Sequence, residues 1–205
     1  MLSEEAEKIG LIINENKTKF MIVPRRKHPQ RAITIKDMTF ERVWNFKYLG
    51  VDINSQADSP EEIHRRITAG NKCYYSLVQL FKSKKLSRRT KIRLYKTLVR
   101  PIVLYACGAW ASTKSDENKL MIFERKILRR IFGPKRNEEG YYEIRSNRKL
   151  NALLNKPSIV ATLKSQRISW AGHVWRAKDQ LLWTITKWKP NKSRPRGRPR
   201  QRWED

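Results

Sequence analysis

The sequence predicts an α+β protein that is mostly α-helical, and three observations along the chain support this. Before residue 57, short apolar runs alternate with polar residues, and from there to residue 186 apolar residues recur every three or four positions. Alternation is typical of strands and the longer period of helices. From residue 187 onward prolines and basic residues dominate. We therefore predict a β-rich segment at 1–56, helical segments at 57–135 and 136–186, and a basic flexible tail at 187–205.

The β-rich segment is predicted to contain a short helix, a strand and a hairpin. "SEEAEKIG" at 3–10 has early acids and a terminal glycine, as helices do. "TKFMIV" at 18–23 predicts a strand. In the next stretch Ile33 and Phe40 belong to the two arms of a hairpin, and "FKYLGVDI" at 46–53 predicts one more strand.

The first long helix is predicted to start at Ser59. Ser59 is the expected N-cap, Pro60 takes the first helical position, and Glu62 stands where a capping box places its acid. Its apolar stripe comprises Ile63, Ile67, Gly70, Tyr74, Leu77 and Phe81.

Two further helices follow within 57–135. The first starts after Ser87, and Pro101 should kink it because proline lacks the backbone N–H. The residues predicted to face inward on it are Ile92, Tyr95, Leu98, Ile102 and Tyr105. The second starts at 115–117 and ends at Gly133. It should bury Leu120, Phe123, Ile127 and Ile131, and its other side carries Arg125, Lys126, Arg129 and Arg130.

The segment 136–186 begins with a polar connector and continues as two helices, the second capped by Ser158. One interpretation is a helix-turn-helix unit with Arg167, His173 and Arg176 near the outer face of its second helix. The other is simply two packed helices.

Composition favours a polyanionic partner. The formal net charge is +27, and such a field attracts nucleic acid. The basic side at Arg125–Arg130 could follow a duplex backbone through phosphate contacts, although a solvated helix face is the alternative.

Cys73 and Cys107 lack the spacing of a metal site, so we expect buried thiols and no metal ligands. No stretch reaches the roughly 20 apolar residues of a membrane span. We expect a soluble intracellular protein, nuclear or cytoplasmic, with no membrane partner.

The tail contains the string "PRGRP" at 195–199. This matches the core of an AT-hook, in which Gly197 lets the chain lie in a narrow minor groove and Arg196 and Arg198 extend along its floor. A generic basic tail that contacts phosphates is the alternative.

Several motifs together resemble reverse transcriptases of non-LTR (LINE-type) retrotransposons. "GLIINENKTKFMI" at 10–22 and "FKYLGVDI" resemble the palm segment after the catalytic aspartates and the primer-grip strand. "LYKTLVRPIVLYACGAW", "FERKILRRIFGP" and "RISWAGHVWR" look like the thumb and C-terminal region of insect endonuclease–reverse transcriptase elements. The resemblance covers essentially the whole chain. It implies the end of a palm at 1–56, a helical thumb at 57–135 and a further helical region at 136–186.

The resemblance also implies an activity that this sequence is not expected to perform. In the family, aspartates hold two Mg²⁺ ions, and two of these aspartates lie in a turn shortly before the segment matching 3–10. That turn is absent from these 205 residues. We therefore expect no cofactor, and binding of an RNA–DNA hybrid or duplex DNA without polymerisation.

The same resemblance assigns roles to individual residues. It places a proton donor for the leaving pyrophosphate at Lys17, with Lys19 second; an exposed lysine pair on a turn formed by Asn14 is the alternative. It assigns the primer grip to Phe46, Lys47, Tyr48, Leu49 and Gly50. An aromatic strand that only packs on a helix would explain these five equally well. Two other functional hypotheses are a domesticated DNA-binding protein that uses the helix-turn-helix and the tail, and a fragment with no function.

Overall fold

The computed structural model of the chain describes residues 2–23, 31–55, 59–177, 180–187 and 203. It is 57% helical with 13% strand, so the protein is α+β and mostly α, as predicted. The chain divides into two compact units, Met1–Asp58 and Ser59–Asp205. In the described ranges no helix is both long and apolar enough to cross a membrane.

The first unit contains a helix and a three-stranded sheet. Helix α1 (Leu2–Lys8) precedes the strands β1 (Lys19–Phe20), β2 (Ala32–Ile35) and β3 (Met38–Arg42). The sheet order is β1-β3-β2. Strands β2 and β3 form the predicted hairpin, with Ile33 opposite Phe40, whereas β1 runs parallel to β3. Phe40 is the buried apolar residue of this unit.

A second hairpin follows where the sequence predicted a single strand, so that prediction was wrong. Strands β4 (Asn45–Tyr48) and β5 (Val51–Asn54) pair antiparallel, with Tyr48 opposite Val51. The two residues between them, Leu49 and Gly50, have φ values of 47° and 79°. Two consecutive residues with positive φ form the tight turn whose twist suits a hairpin, and this reverses the chain.

In its described residues, the second unit consists of helices, loops and one small hairpin. Its helices are α2 (Pro60–Ser76), α3 (Val78–Lys82), α4 (Arg88–Leu94), α5 (Arg100–Val103), α6 (Lys114–Phe132), α7 (Asn147–Leu154), α8 (Ile159–Arg176) and α9 (Gln180–Lys187). A π-helical segment, Tyr95–Val99, joins α4 to α5, and a short 3₁₀ turn, Cys107–Ala109, follows α5. Between α6 and α7, strands β6 (Lys135–Arg136) and β7 (Tyr142–Glu143) form an antiparallel hairpin. Ser87 and Ser158 cap α4 and α8, as predicted.

One hydrophobic core runs through this unit. The predicted stripe of α6 is confirmed, since its four residues are all buried. The fully buried members of the core include Ile63, Tyr95, Val99, Val103, Leu120, Ile127, Leu128, Leu150, Ile159 and Leu163. This list spans both sides of the boundary predicted at residue 135, so α7 and α8 share their core with the preceding helices.

The helix that contains Pro101 buries Tyr95 as predicted, but after Tyr95 it buries a different face from the one predicted. Val99 and Val103 are fully buried, whereas Leu98 and Tyr105 are 44% and 48% exposed. The cause is the π-helical segment, in which the N–H of Arg100 donates to the carbonyl of Tyr95, five residues earlier. A π turn contains one residue more than an α turn, so the inward positions after it move along by one.

The caps of α2 and α6 also differ from the prediction. Ser59 does not cap α2; its backbone is helical, and its hydroxyl accepts from the N–H of Ala111 at 3.2 Å. Helix α6 starts at Lys114 because Thr113 caps it. Thr113 Oγ1 accepts from the N–H of Asp116, whose carboxylate accepts from the N–H of Thr113, so the capping box lies here.

A buried acid joins α6 to its neighbours. Glu124 Oε1 accepts from the hydroxyl of Tyr95 at 2.8 Å, and its Oε2 accepts from the N–H of Ile159, the first residue of α8, at 2.9 Å. Arg100 donates to the carbonyl of Pro157 just before the same helix. Burial, and next the nearby Glu124 carboxylate, raise the pKa of Tyr95 well above its ordinary value. These contacts fix the rotation of α6 and so determine which of its residues face outward.

Candidate nucleic-acid interface

Four cations occupy the unburied side of the second half of α6, and we call them the basic face. They are Arg125, Lys126, Arg129 and Arg130. Lys126, Arg129 and Arg130 are exposed and Arg125 is half-buried, while the intervening Ile127 and Leu128 are buried. Because a helix turns by about 100° per residue, positions four apart align, and the four cations form two adjacent rows.

Neutral groups hold two members of the basic face. Lys126 Nζ donates to the hydroxyl of Tyr75 at 2.8 Å and to Asn71 Oδ1 at 3.3 Å, both on α2. Arg129 Nη2 donates to Asn147 Oδ1 on α7 at 2.7 Å. Hydrogen bonds to neutral acceptors orient a cation and leave its charge uncompensated. Within the described part of the chain, no carboxylate forms an ion pair with any residue of the basic face.

In the first half of α6, by contrast, the lysines form ion pairs with acids. Lys119 pairs with Asp116 at 3.2 Å, and Lys114 pairs with Glu117 at 3.4 Å. Glu117 also receives Lys164 from α8 at 3.2 Å. The acids of α6 therefore neutralise the lysines near its start, and the uncompensated positive charge of the helix lies in its second half.

The lysines of the motif at 10–22 lie in the first unit, on and beside an exposed turn. Asn14 forms this turn as predicted, since its Oδ1 accepts from the N–H of Lys17 at 3.0 Å and its carbonyl accepts from Thr18. Lys17 is exposed. Lys19 lies on β1 and pairs with Glu41 at 2.6 Å, and this hydrogen bond and charge lower the pKa of Glu41. The contacts of Lys17 are those of a lysine on a surface turn, and its role as proton donor stays a prediction.

The two Mg²⁺ ions implied by the resemblance would need a group of acidic side chains to hold them. Among the residues with described positions, no group of three or more His, Cys, Asp or Glu side chains is placed to hold a metal ion. The described residues therefore do not fit a two-magnesium site.

The five predicted primer-grip residues lie together on the β4–β5 hairpin. Phe46, Lys47 and Tyr48 are on β4, and Leu49 and Gly50 form its turn. Every residue of β4 is exposed, and Phe46 and Lys47 face Ile53 and Asp52 across the hairpin. The hairpin thus presents aromatic rings and a lysine at the surface of the first unit. Its role as a primer grip stays a prediction.

The AT-hook residues Arg196, Gly197 and Arg198 lie outside the described residues, and nothing tests that hypothesis. The structure does place Trp203, from the segment predicted as a flexible tail. Trp203 Nε1 donates to the carbonyl of Gly108 at 2.7 Å, and its ring meets the ring of Trp170 edge-on at 4.8 Å.

Arg167, on the predicted outer face of the second helix, also takes part in this contact. Its guanidinium lies 5.4 Å from the ring of Trp203 and donates to the Trp203 carbonyl. His173 and Arg176 line a neighbouring cavity together with Cys107 and Trp170. Of the three residues predicted near the outer face of the second helix, Arg167 therefore contacts a tryptophan of the same chain, and His173 and Arg176 line the cavity beside it.

Both cysteines are free thiols. Cys107 is buried and donates to Gln166 Oε1 at 2.6 Å, and Cys73 is partly buried. Burial raises the pKa of Cys107 to about 11 and also raises the pKa of Cys73. A thiol with a raised pKa is a poor nucleophile at neutral pH, so neither cysteine is a candidate reactive group.

Comparison with known proteins gives one informative match. The chain is 27% identical, over 210 residues, to an uncharacterized transposon-derived protein of Caenorhabditis elegans. The match covers 100% of this chain and 74% of the relative. No protein-family model matches the chain, and no solved structure matches it. The likeness indicates a transposon-related origin.

Proposed function

We propose that this chain binds double-stranded nucleic acid through the basic face of α6, as a remnant of a non-LTR retrotransposon reverse transcriptase. Three observations support the proposal. The net charge is +27, the relative is transposon-derived, and the motifs in the sequence resemble the end of the palm and the thumb of that family. The observation that carries the binding proposal is the absence, within the described residues, of any carboxylate paired with the basic face.

The spacing of the basic face suits a duplex backbone. Five residue steps along α6 correspond to a rise of about 7.5 Å, over which a DNA duplex carries about four phosphate charges. Contacts of this kind give affinity and position without reading sequence. An RNA–DNA hybrid and duplex DNA offer the same chemistry, and we take both as partners.

The helix dipole explains only part of the charge pattern. Cations in the last turn of a helix are stabilised by its partial negative charge, and this accounts for Arg129 and Arg130. The dipole effect declines within one turn, so it does not account for Arg125 and Lys126. Binding of a polyanion accounts for all four.

Fluorescence anisotropy with labelled hybrid and duplex probes across a salt series tests the proposal. The variant Arg125→Gln/Arg130→Gln removes two charges from the basic face, and Lys114→Gln/Lys119→Gln removes two from the neutralised half of the same helix. Each phosphate contact contributes about 0.9 to the slope of log affinity against log salt. We expect the first variant to reduce the slope by about two and the second to leave it unchanged. Equal effects of the two variants, or no duplex binding at low salt, would contradict the proposal.

The remaining hypotheses are separated by two additions to this assay. Preference for A·T-rich duplex that is lost in Arg196→Ala/Arg198→Ala would favour the AT-hook and a domesticated DNA-binding protein. Binding without nucleotide incorporation is the proposed behaviour of these 205 residues, since the aspartate turn is absent from them. Primer extension in the presence of Mg²⁺ should therefore give no product, and incorporation would contradict this part of the proposal.

A further inference from the structure

The β6–β7 hairpin presents two adjacent tyrosines and an isoleucine to solvent. Tyr141, Tyr142 and Ile144 are 70%, 76% and 84% exposed. Burying one large apolar side chain is worth about 1.5–3 kcal/mol, and these three contribute almost none of this to folding. Exposed rings grouped in this way are typical of a surface that contacts a partner.

The hairpin holds these rings on a well-braced backbone. The N–H of Asn137 donates to the Tyr141 carbonyl at 2.9 Å, and Asn137 Oδ1 accepts from the N–H of Tyr141 at 2.7 Å. Arg136 Nε donates to the Gly140 carbonyl in the turn, and Arg145 Nε donates to the Gly133 carbonyl at the end of α6. A platform whose backbone is already fixed loses little conformational entropy when it binds.

The charges around the hairpin differ between its base and its tip. Lys135 and Arg145 lie at the base, where Glu143 stands opposite Lys135, so the base carries two cations and one acid; Arg136 lies next to the turn and donates to the Gly140 carbonyl. Glu138 and Glu139 lie in the turn at the tip. A negatively charged backbone would therefore pass along the base of the hairpin, on the side where α6 ends.

The hairpin is also continuous with the basic face. The last turn of α6 leads into β6 through Gly133 and Pro134. Arg129, on the basic face, donates to Asn147, the first residue of the helix that follows β7. A strand whose phosphates contact the basic face would approach the tyrosines along the base of the hairpin, where Lys135 and Arg145 outnumber Glu143.

We propose that Tyr141 and Tyr142 form a stacking site for unpaired nucleobases of a single-stranded segment next to the duplex. Rings beside cations are the combination with which proteins bind single strands, because every base has a π face and every phosphate a charge. The site deepens the proposed function and rests on it, because the basic face places the strand. DNA and RNA single strands share this chemistry.

The test uses the full chain and oligomers of about 12 nucleotides, a length within the range of single-strand binding sites. The probes are oligothymidylate, oligouridylate and an abasic DNA oligomer of equal length, with a blunt duplex as reference. Tyr141→Leu/Tyr142→Leu removes the rings and keeps apolar bulk, Tyr141→Phe/Tyr142→Phe keeps the rings, and Ile144→Ala is the matched control in the same hairpin. Circular dichroism checks that each variant folds.

We expect the leucine variant to bind oligothymidylate or oligouridylate about 5- to 150-fold more weakly, the range measured for base–aromatic stacking. The phenylalanine variant and Ile144→Ala should stay within about threefold of the wild type, since stacking is what they leave intact. Binding of the abasic oligomer and of the blunt duplex should not change in any of the three. A greater loss with oligothymidylate would indicate that the site prefers DNA, and a greater loss with oligouridylate that it prefers RNA. Either result would support the stacking site.

Three results would overturn the stacking site. One is wild-type affinity of the leucine variant for both base-containing oligomers. Another is an equal loss for the abasic oligomer. The third is a shift from dimer to monomer in sedimentation velocity without loss of oligomer binding, which would make the tyrosines a self-association surface. Failure of the proposed function has a different signature, because duplex binding would then be insensitive to Arg125→Gln/Arg130→Gln.

Discussion

The two halves of α6 use charged residues in opposite ways. In the first half, Asp116 completes the capping box, and both Asp116 and Glu117 suit the positive end of the helix dipole and neutralise Lys119 and Lys114. In the second half, Lys126 and Arg129 donate to neutral acceptors. No carboxylate of the described residues forms an ion pair with any cation of the basic face. The difference shows that the count of basic residues alone does not distinguish one part of the helix from another. The surface proposed for polyanions is the stretch where, among the described residues, the fold supplies no compensating acid.

Glu124 lies at the boundary between the halves, and it is the last acid on α6. It is 2% exposed and faces the core, one residue before the basic face begins. Its two oxygens are taken by Tyr95 and by the N–H of Ile159. The helix therefore keeps this carboxylate for the core, where it serves the fold and leaves the charge of the basic face unreduced.

The largest effect on this comparison should come from replacing Glu124. Glu124→Leu leaves the Tyr95 hydroxyl and the Ile159 N–H buried without an acceptor, at a cost of about 1–3 kcal/mol each. We expect a loss of about 2–5 kcal/mol in the free energy of unfolding, measured by urea denaturation. Glu124→Gln keeps one oxygen acceptor and should lose about half as much.

The matched control is an acid outside the core. Glu139 lies exposed in the β6–β7 turn, so Glu139→Gln should change stability by less than about 0.5 kcal/mol. If Glu124→Leu were as stable as the wild type, the hydrogen bonds of Glu124 would not hold α6 in its place, and the division of charges along the helix would lack its structural cause.

Local periodicity was enough to predict the stripes of the long helices. Ile63, Leu120 and Ile127 are buried as expected, because in an uninterrupted helix the spacing alone fixes the inward face. Phe81 is buried too, but it lies on α3, because the single helix predicted from Ile63 to Phe81 is broken at Leu77. The same rule went wrong after Tyr95, since a π-helical segment shifts the inward positions by one residue and nothing in the apolar pattern marks it. Glu124 was missed for a related reason: its partners come from residues 29 and 35 positions away.

One of the candidate surfaces could also be predicted from local spacing, and the others could not. The basic face could be found from spacing, because Arg125 and Arg129 are one turn apart in any helix. The tyrosines of the β6–β7 hairpin were passed over as a polar connector, since glutamates and arginines surround them and only the structure shows their exposure. Trp203 was assigned to the tail, and its contact with Trp170 joins positions far apart in the sequence.

Alkaline pH should weaken the buried side of α6 and leave the three arginines of the basic face charged. The pKa of Tyr95 is raised by burial and by Glu124, so in the folded protein it stays protonated above its ordinary value of 10.0, whereas in the unfolded chain it ionises there. The unfolded state then binds fewer protons, and stability falls by about 1.4 kcal/mol per pH unit above pH 10. Arginines remain charged throughout this range.

Urea denaturation at several pH values above 10 checks this, in a Cys107→Ala background that removes the thiol whose pKa of about 11 would add its own loss. In that background Tyr95→Phe should lower stability at neutral pH, because Glu124 loses a donor, and should remove most of the decline with pH. An equally steep decline in Tyr95→Phe would assign it to other groups.

The smallest expected effect is a difference in stability between two variants of the basic face, which distinguishes stabilisation by the helix dipole from binding of a duplex. Arg129 lies in the last turn of α6, where a cation gains about 0.3–1 kcal/mol from the dipole, and it also donates to Asn147. Arg125 lies one turn earlier, beyond the reach of that effect. We therefore expect Arg129→Gln to lower the unfolding free energy by about 0.5 kcal/mol and Arg125→Gln to leave it unchanged within error, while both weaken duplex binding to a similar degree.

Measuring both stability and duplex affinity on Arg125→Gln and Arg129→Gln distinguishes a role in the helix dipole from a role in binding. If the basic face served only the dipole, Arg125→Gln would be silent in both assays and Arg129→Gln would affect stability alone. If it serves binding, the affinity losses match although the stability losses do not. Asn147→Ala supplies the control, because it removes the neutral acceptor of Arg129 and keeps the charge. Its duplex affinity should stay within about twofold of the wild type, since a freed guanidinium can still contact phosphate. A loss as large as that of Arg129→Gln would mean that the orientation of the cation by its neutral partner, and not its uncompensated charge alone, distinguishes the second half of α6 from the first.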